Sequence, residues 1–171
     1  VAPATLDVAY AQDEEAAAEG RQFSADAGEK VNEALQFLNA AKPQGDLNTL
    51  NGLLASASPL NPYEKSTIYQ MVGQAYNDVG NTAQALTAFQ NAINAGGMLP
   101  NEVDGIKVVI AQLLIVNGQY REGAMALEKY IREGGQEKPA YVELLVQAWI
   151  EAEDYPRALP WAEKWFNNSN P

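Results

Sequence analysis

Apolar residues along this chain recur at intervals of three and four, the spacing of one face of an α-helix. Val31, Ala34, Leu35 and Leu38 form one such stripe, and Leu47, Leu50, Leu53 and Leu54 a second, with Gly45 breaking the pattern between them. Three later segments repeat the scheme without internal gaps. The first runs from Tyr69 through Val72, Gly73 and Tyr76 to Gly80, Ala85, Phe89 and Ala92. The second runs from Val109 through Ala111 and Leu114 to Gly118, Gly123, Leu127 and Tyr130. The third runs from Leu145 through Val146 and Trp149 to Asp154, Tyr155, Ala158, Ala162 and Trp165. Gly73, Ala111 and Val146 stand 38 and 35 residues apart, and Leu35 precedes Gly73 by 38. A helix pair recurring at such a period cannot bury its apolar face alone and does so by stacking on its neighbours. The pattern predicts an all-α chain of four helix-turn-helix units over residues 29–171, the first of them the weakest copy.

Local punctuation supports these units. Asn61-Pro62-Tyr63-Glu64 supplies an N-cap, a proline at the first helical position and an acid at the third. Gly96-Gly97 and Gly134-Gly135 follow the second helices of their units and suit left-handed C-caps. Gly73 and Ala85 are small where paired helices approach most closely, and Tyr76 and Phe89 are expected to fill the space between units. Tyr69, Tyr76, Phe89, Trp149 and Trp165 fall at core spacing. Trp161 and Phe166 lie on the last helix, either inside the final hairpin or as an exposed apolar end.

The run Tyr69, Val72, Gly73, Tyr76, Ala85, Phe89, Ala92 resembles the tetratricopeptide repeat, a unit of about 34 residues with a large residue, Leu-Gly-x-x-Tyr, then Ala, Phe and Ala. That resemblance implies an α-α solenoid in which the first helix of each unit lines a concave face. Transferred by position, the inward sites are Asn32, Gln36 and Asn39; Gln70, Gln74 and Asn77; Gln112; and Glu143 and Gln147. Gln74, Gln112 and Gln147 take the same place in successive units. Amides donate and accept, so a row of them can hold the main chain of an extended peptide. The expected partner is therefore a protein or extended peptide.

Composition narrows the chemistry. The chain has no Cys and no His, which removes thiol nucleophiles, thiolate metal sites and Ser-His-Asp chemistry. Glu151, Glu153 and Asp154 cluster at a helix end and read as a solvated face, and Glu102 and Asp104 complement the dipole of a helix start. No enzyme, metal or cofactor is called for. A net charge of -11 disfavours nucleic acid, and no apolar run spans a membrane.

Residues 1–28 read as an acidic, flexible leader. Seven acids against Arg21 give residues 1–29 a charge of -6. Ala9-Tyr10-Ala11 matches the small-x-small pattern of a signal-peptidase site and points to export. Glu29-Lys30-Val31-Asn32-Glu33-Ala34-Leu35, Leu60-Asn61-Pro62-Tyr63-Glu64-Lys65 and Ala95-Gly96-Gly97-Met98-Leu99-Pro100 resemble bacterial periplasmic tetratricopeptide proteins associated with TonB-type systems. The resemblance implies a periplasmic, non-catalytic scaffold with TonB-system components as partners. A scaffold for pilus, secretion or outer-membrane assembly is the alternative. Pro43-Gln44-Gly45 departs from the pattern by interrupting the first unit.

Overall fold

The computed structural model of the chain describes residues 21–39, 43–56 and 59–169. Ala9-Tyr10-Ala11 and the acids up to Glu19 lie outside them. The described residues contain eight α-helices and no strand: α1 (Ala25–Asn39), α2 (Pro43–Leu54), α3 (Pro62–Asp78), α4 (Thr82–Asn94), α5 (Pro100–Val116), α6 (Tyr120–Arg132), α7 (Pro139–Glu151) and α8 (Tyr155–Ser169). Consecutive helices pack as hairpins, two in each of two compact units, Val1–Met98 and Leu99–Pro171.

In the first unit Val31, Ala34, Leu47, Leu50, Leu53, Ile68 and Val72 are buried together, drawing three-residue and four-residue steps of α1, α2 and α3 into one core. Burial of each Leu, Ile or Val side chain contributes about 1.5–3 kcal/mol before the cost of ordering it. In the second unit Ala111, Ile115, Leu127, Leu145, Ala148 and Trp149 play this part.

Helix α3 starts as the sequence predicts. Asn61 Oδ1 accepts from the Glu64 N–H at 2.8 Å, and the Asn61 N–H donates to Glu64 Oε2 at 2.7 Å. At α5 only the acidic half of such a box operates, the Leu99 N–H donating to Glu102 Oε2 at 2.7 Å. Four helix ends share one geometry. The N–H groups of Asn81, Gln119, Gly135 and Asp154 bond back to the carbonyls of Tyr76, Leu114, Tyr130 and Trp149. The residue before each is left-handed: Gly80, Gly118 and Gly134 in the first three, and Glu153 at φ 56° in the last.

Several expectations change. Among the described residues, helical structure is present before residue 29. Helix α1 starts at Ala25, Ala27 is buried, and residues 21–24 form a strap across the start of α3. The Ser24 N–H donates to Glu64 Oε1 at 2.7 Å, the Gln22 carbonyl accepts from Asn61, and Phe23 meets the Tyr63 ring at 5.5 Å. Those partners lie some 40 residues downstream, beyond the reach of local pattern. Pro43 opens α2 instead of interrupting the unit, and Gly45 lies inside that helix.

Phe89 packs within its own hairpin. A Cβ on Gly73 would stand 2.8 Å from its ring, so the glycine is the seat of the phenylalanine. Trp149 is fully buried, Tyr69 and Tyr76 are half-buried, and Trp165 is 44% exposed, outside the core. Trp161 packs partly against the second core, whereas Phe166 is exposed. Leu35 is 41% exposed, so the apolar stripe of α1 is narrower than its sequence suggests.

Candidate peptide-binding site

The polar residues picked out by position fall on the first helix of each hairpin. In the first unit, Asn32 and Gln36 lie one turn apart on α1, both exposed. On α3, Gln70, Gln74 and Asn77 follow each other down one face, Gln70 half-buried and the other two exposed. Gln74 is already oriented: its amide donates to Asp78 Oδ1 at 2.7 Å, leaving its carbonyl oxygen turned to other donors. The Asn39 side chain lies outside the described residues. In the second unit Gln112 on α5 and Glu143 and Gln147 on α7 are exposed. None of those described belongs to a buried core.

Gln112 lines a cleft. A cleft of about 550 Å³ opens in the second unit between α5, the end of α6 and the start of α7. Its wall carries Gln112, Asn101 and Gln136 as amides, Val108 and Val109 as apolar floor, and Tyr130 and Tyr141 as aromatic sides. Glu143 and Gln147, one and two turns farther along α7, do not line it. Cleft volume is in the range of ligand-holding sites, 300–1,000 Å³ or so.

The cleft is stiffly built. Tyr130 and Tyr141 meet edge to face at 6.2 Å, and the Tyr130 hydroxyl accepts the Gln136 N–H at 3.1 Å. Lys107, on α5 beside the cleft, bridges Asp104 at 3.4 Å and Glu133 at 3.3 Å. Burial opposes its charge, but the two carboxylates outweigh burial and raise its pKa. Sequence reasoning found Gln112 but missed Tyr130, Tyr141 and Lys138, because they come from three places that only the fold brings together. Gly105, a glycine inside the span of α5, was a signal available in the sequence.

Of the acids read as a solvated face, Glu151 and Glu153 are exposed, whereas Asp154 is tied into ion pairs. Asp154 holds Arg121 at 2.7 Å and Arg157 at 3.9 Å, and the hydrogen bond from Arg121 is the main reason its pKa is lowered. Both guanidinium groups stand over Trp149, at 5.8 and 4.8 Å. Glu102 caps α5 and Asp104 pairs with Lys107. Apolar Leu114, Ile115 and Val116 divide: Ile115 is core, Leu114 half-buried and Val116 82% exposed. Among the described residues no group of three acids could hold a metal ion, and no helix is long and apolar enough to cross a membrane.

Hairpins of this size, with small residues at the helix crossings and Gly-capped turns, match a family model described as tetratricopeptide repeat over residues 10–170. The chain belongs to the tetratricopeptide repeat family. Solved structures with this fold include a MamA RS-1 double mutant, 15% identical with a TM-score of 0.67, covering 85% of this chain and 76% of that one. MamA 41-end from Desulfovibrio magneticus RS-1 is 16% identical with a TM-score of 0.65, covering 85% and 77%. Pseudomonas aeruginosa pilF is 18% identical with a TM-score of 0.56, covering 86% of this chain and 61% of that one. No curated protein matches the chain. Membership in the family supports a protein–protein interaction scaffold as the role of these tetratricopeptide repeats.

Proposed function

We propose that this tetratricopeptide protein is a non-catalytic adaptor of the bacterial envelope. In this reading it works in the periplasm and holds an extended segment of a partner associated with TonB-dependent transport. Polar side chains on the first helices, all amides but Glu143, carry the reading. Asn32, Gln36, Gln70, Gln74, Asn77, Gln112, Glu143 and Gln147 stand on the exposed or half-exposed faces of first helices, where hydrogen-bonding capacity serves no packing purpose. Amides bind peptide main chain without demanding charge, which suits an adaptor that must let go again. The envelope setting rests on the likeness of residues 29–35, 60–65 and 95–100 to periplasmic family members and on Ala9-Tyr10-Ala11.

A pull-down from envelope extract tests it, with the intact chain as bait and a Gln74→Glu, Gln112→Glu double variant as control. Recovery of TonB-system components by the parent chain, lost in the variant, is the expected result. Recovery of pilus, secretion or outer-membrane assembly machinery would replace the transport link with the alternative scaffold. A partner retained equally by the variant would move binding off these first-helix residues.

A further inference from the structure

The second-unit cleft contains a residue that the fold itself does not explain. Three glycines line it. Gly134 is left-handed at φ 100°, and a Cβ on Gly135 would run into the Tyr130 ring. Gly105 has neither reason. It sits in the interior of α5, its backbone is ordinary helix, and a Cβ there would meet nothing within 4 Å. A glycine in a helix interior weakens the helix relative to alanine. What Gly105 provides is open space at the wall of the cleft, the space a neighbouring main chain needs for close approach.

The charges of the cleft are also uneven. Asp104 is answered by Lys107, which Glu133 holds as well. Lys138 makes no ion pair among the described residues, and its Nζ lies 5.5 Å over the Tyr141 ring. The cleft therefore presents one cation whose charge no carboxylate of the described chain answers, beside a rigid aromatic wall. Gln112 supplies the amide within reach of the same space.

We propose that this cleft selects the sequence of the bound segment: an extended partner peptide passes closely over Gly105, hydrogen-bonds to Gln112, and places an acidic side chain against Lys138. This rests on the peptide-binding reading above and gives it a substrate class. Charge complementarity at a cleft rim tunes choice of partner more than raw affinity, so the prediction concerns preference first.

The test is selection of random phage-displayed peptides on the intact chain, followed by affinity measurement with a synthetic peptide of the selected consensus. The expected consensus carries Asp or Glu beside a small or apolar residue. Lys138→Glu and Gly105→Leu should each weaken that peptide by about tenfold or more. Replacing the peptide's acid with Lys should restore binding to Lys138→Glu and impair binding to the parent chain. Gly105→Leu replaces a poor helix former by a good one in open space, so its far-UV signal should be retained. If it misfolds nonetheless, the exposed Lys138→Glu and its charge swap decide alone. A consensus without acid, or binding indifferent to Lys138, overturns the proposal. Binding lost only on Gln70→Glu or Gln74→Glu would remove this cleft and leave peptide binding standing, whereas no enriched peptide at all would remove both.

Discussion

Glu64→Gln is the sharpest test of how the first unit is held together. The carboxylate is 1% exposed and sits where three pieces of chain meet. Its Oε1 accepts the Ser24 N–H and its Oε2 the Asn61 N–H, both at 2.7 Å. Arg21 extends the clasp, lying 4.9 Å over Tyr63 and donating to the Gly97 carbonyl at 3.1 Å. Burial by itself would raise the pKa of Glu64, but the backbone N–H groups of Ser24 and Asn61 outweigh it and hold it below the ordinary 4.5. Glutamine keeps the shape but faces one of the two N–H donors with an amide N–H. One charge-assisted bond is lost and one buried donor is left without an acceptor, a cost of about 2–3 kcal/mol.

The pH dependence has a definite sign. A carboxylate with a lowered folded pKa stabilises the fold above its unfolded pKa, and that contribution is lost as pH falls through the folded value. The parent chain should therefore lead the variant by the full difference at pH 7, with the gap closing below the ordinary carboxylate range, under pH 4.5. Urea unfolding followed at 222 nm measures this. Far-UV signal is the right probe, because all three tryptophans (Trp149, Trp161 and Trp165) lie in the second unit. A difference under about 0.5 kcal/mol at pH 7, or a gap that persists undiminished into acid, would refute the strap as described.

Three further predictions follow from close packing and backbone geometry. Gly97→Ala drives a Cβ into the Pro62 carbonyl and the Tyr63 backbone nitrogen. Because backbone must move, it should cost about 1–3 kcal/mol in urea unfolding, and parent-like stability would contradict the contact. Glu153→Gly removes a left-handed non-glycine from the turn position that Gly80 and Gly118 occupy in two earlier hairpins. It should raise stability by about 0.5–1 kcal/mol, the roughly 1–2 kcal/mol strain less the added freedom of the unfolded chain, and a lower melting temperature would argue against this. Glu128→Ala takes away the one oxygen that accepts both the Trp149 and Trp161 indole N–H groups at 2.8 Å. With Trp149 fully buried, it should cost about 1–3 kcal/mol and shift tryptophan emission, and unchanged emission would sever the link.

The sequence by itself determined the helices and their pairing. Val31, Ala34, Leu50, Leu53 and Ala85 are buried where helical spacing puts them, and Asn61-Pro62-Tyr63-Glu64 begins α3 as a cap should. These features are legible because each depends on residues within about one helical turn, the range over which the backbone's own geometry acts. The family signature is legible for the same reason, most fully in the hairpin that carries Gly73, Tyr76, Gly80, Ala85 and Phe89.

What only tertiary structure decided are the contacts whose partners lie far apart in the chain. The strap of residues 21–24 owes its place to Glu64 and Tyr63, so no local composition separates it from the acidic stretch before it. Trp165 shares a repeat position with core residues yet is 44% exposed, because burial is fixed by what packs opposite and not by spacing. Gln112 was visible as a polar position on α5. The cleft it lines was not, since Tyr130, Lys138 and Tyr141 reach it from another helix end, a turn and a third helix. Period and caps act through the chain's own neighbours, whereas a binding surface is assembled from residues that folding alone makes neighbours.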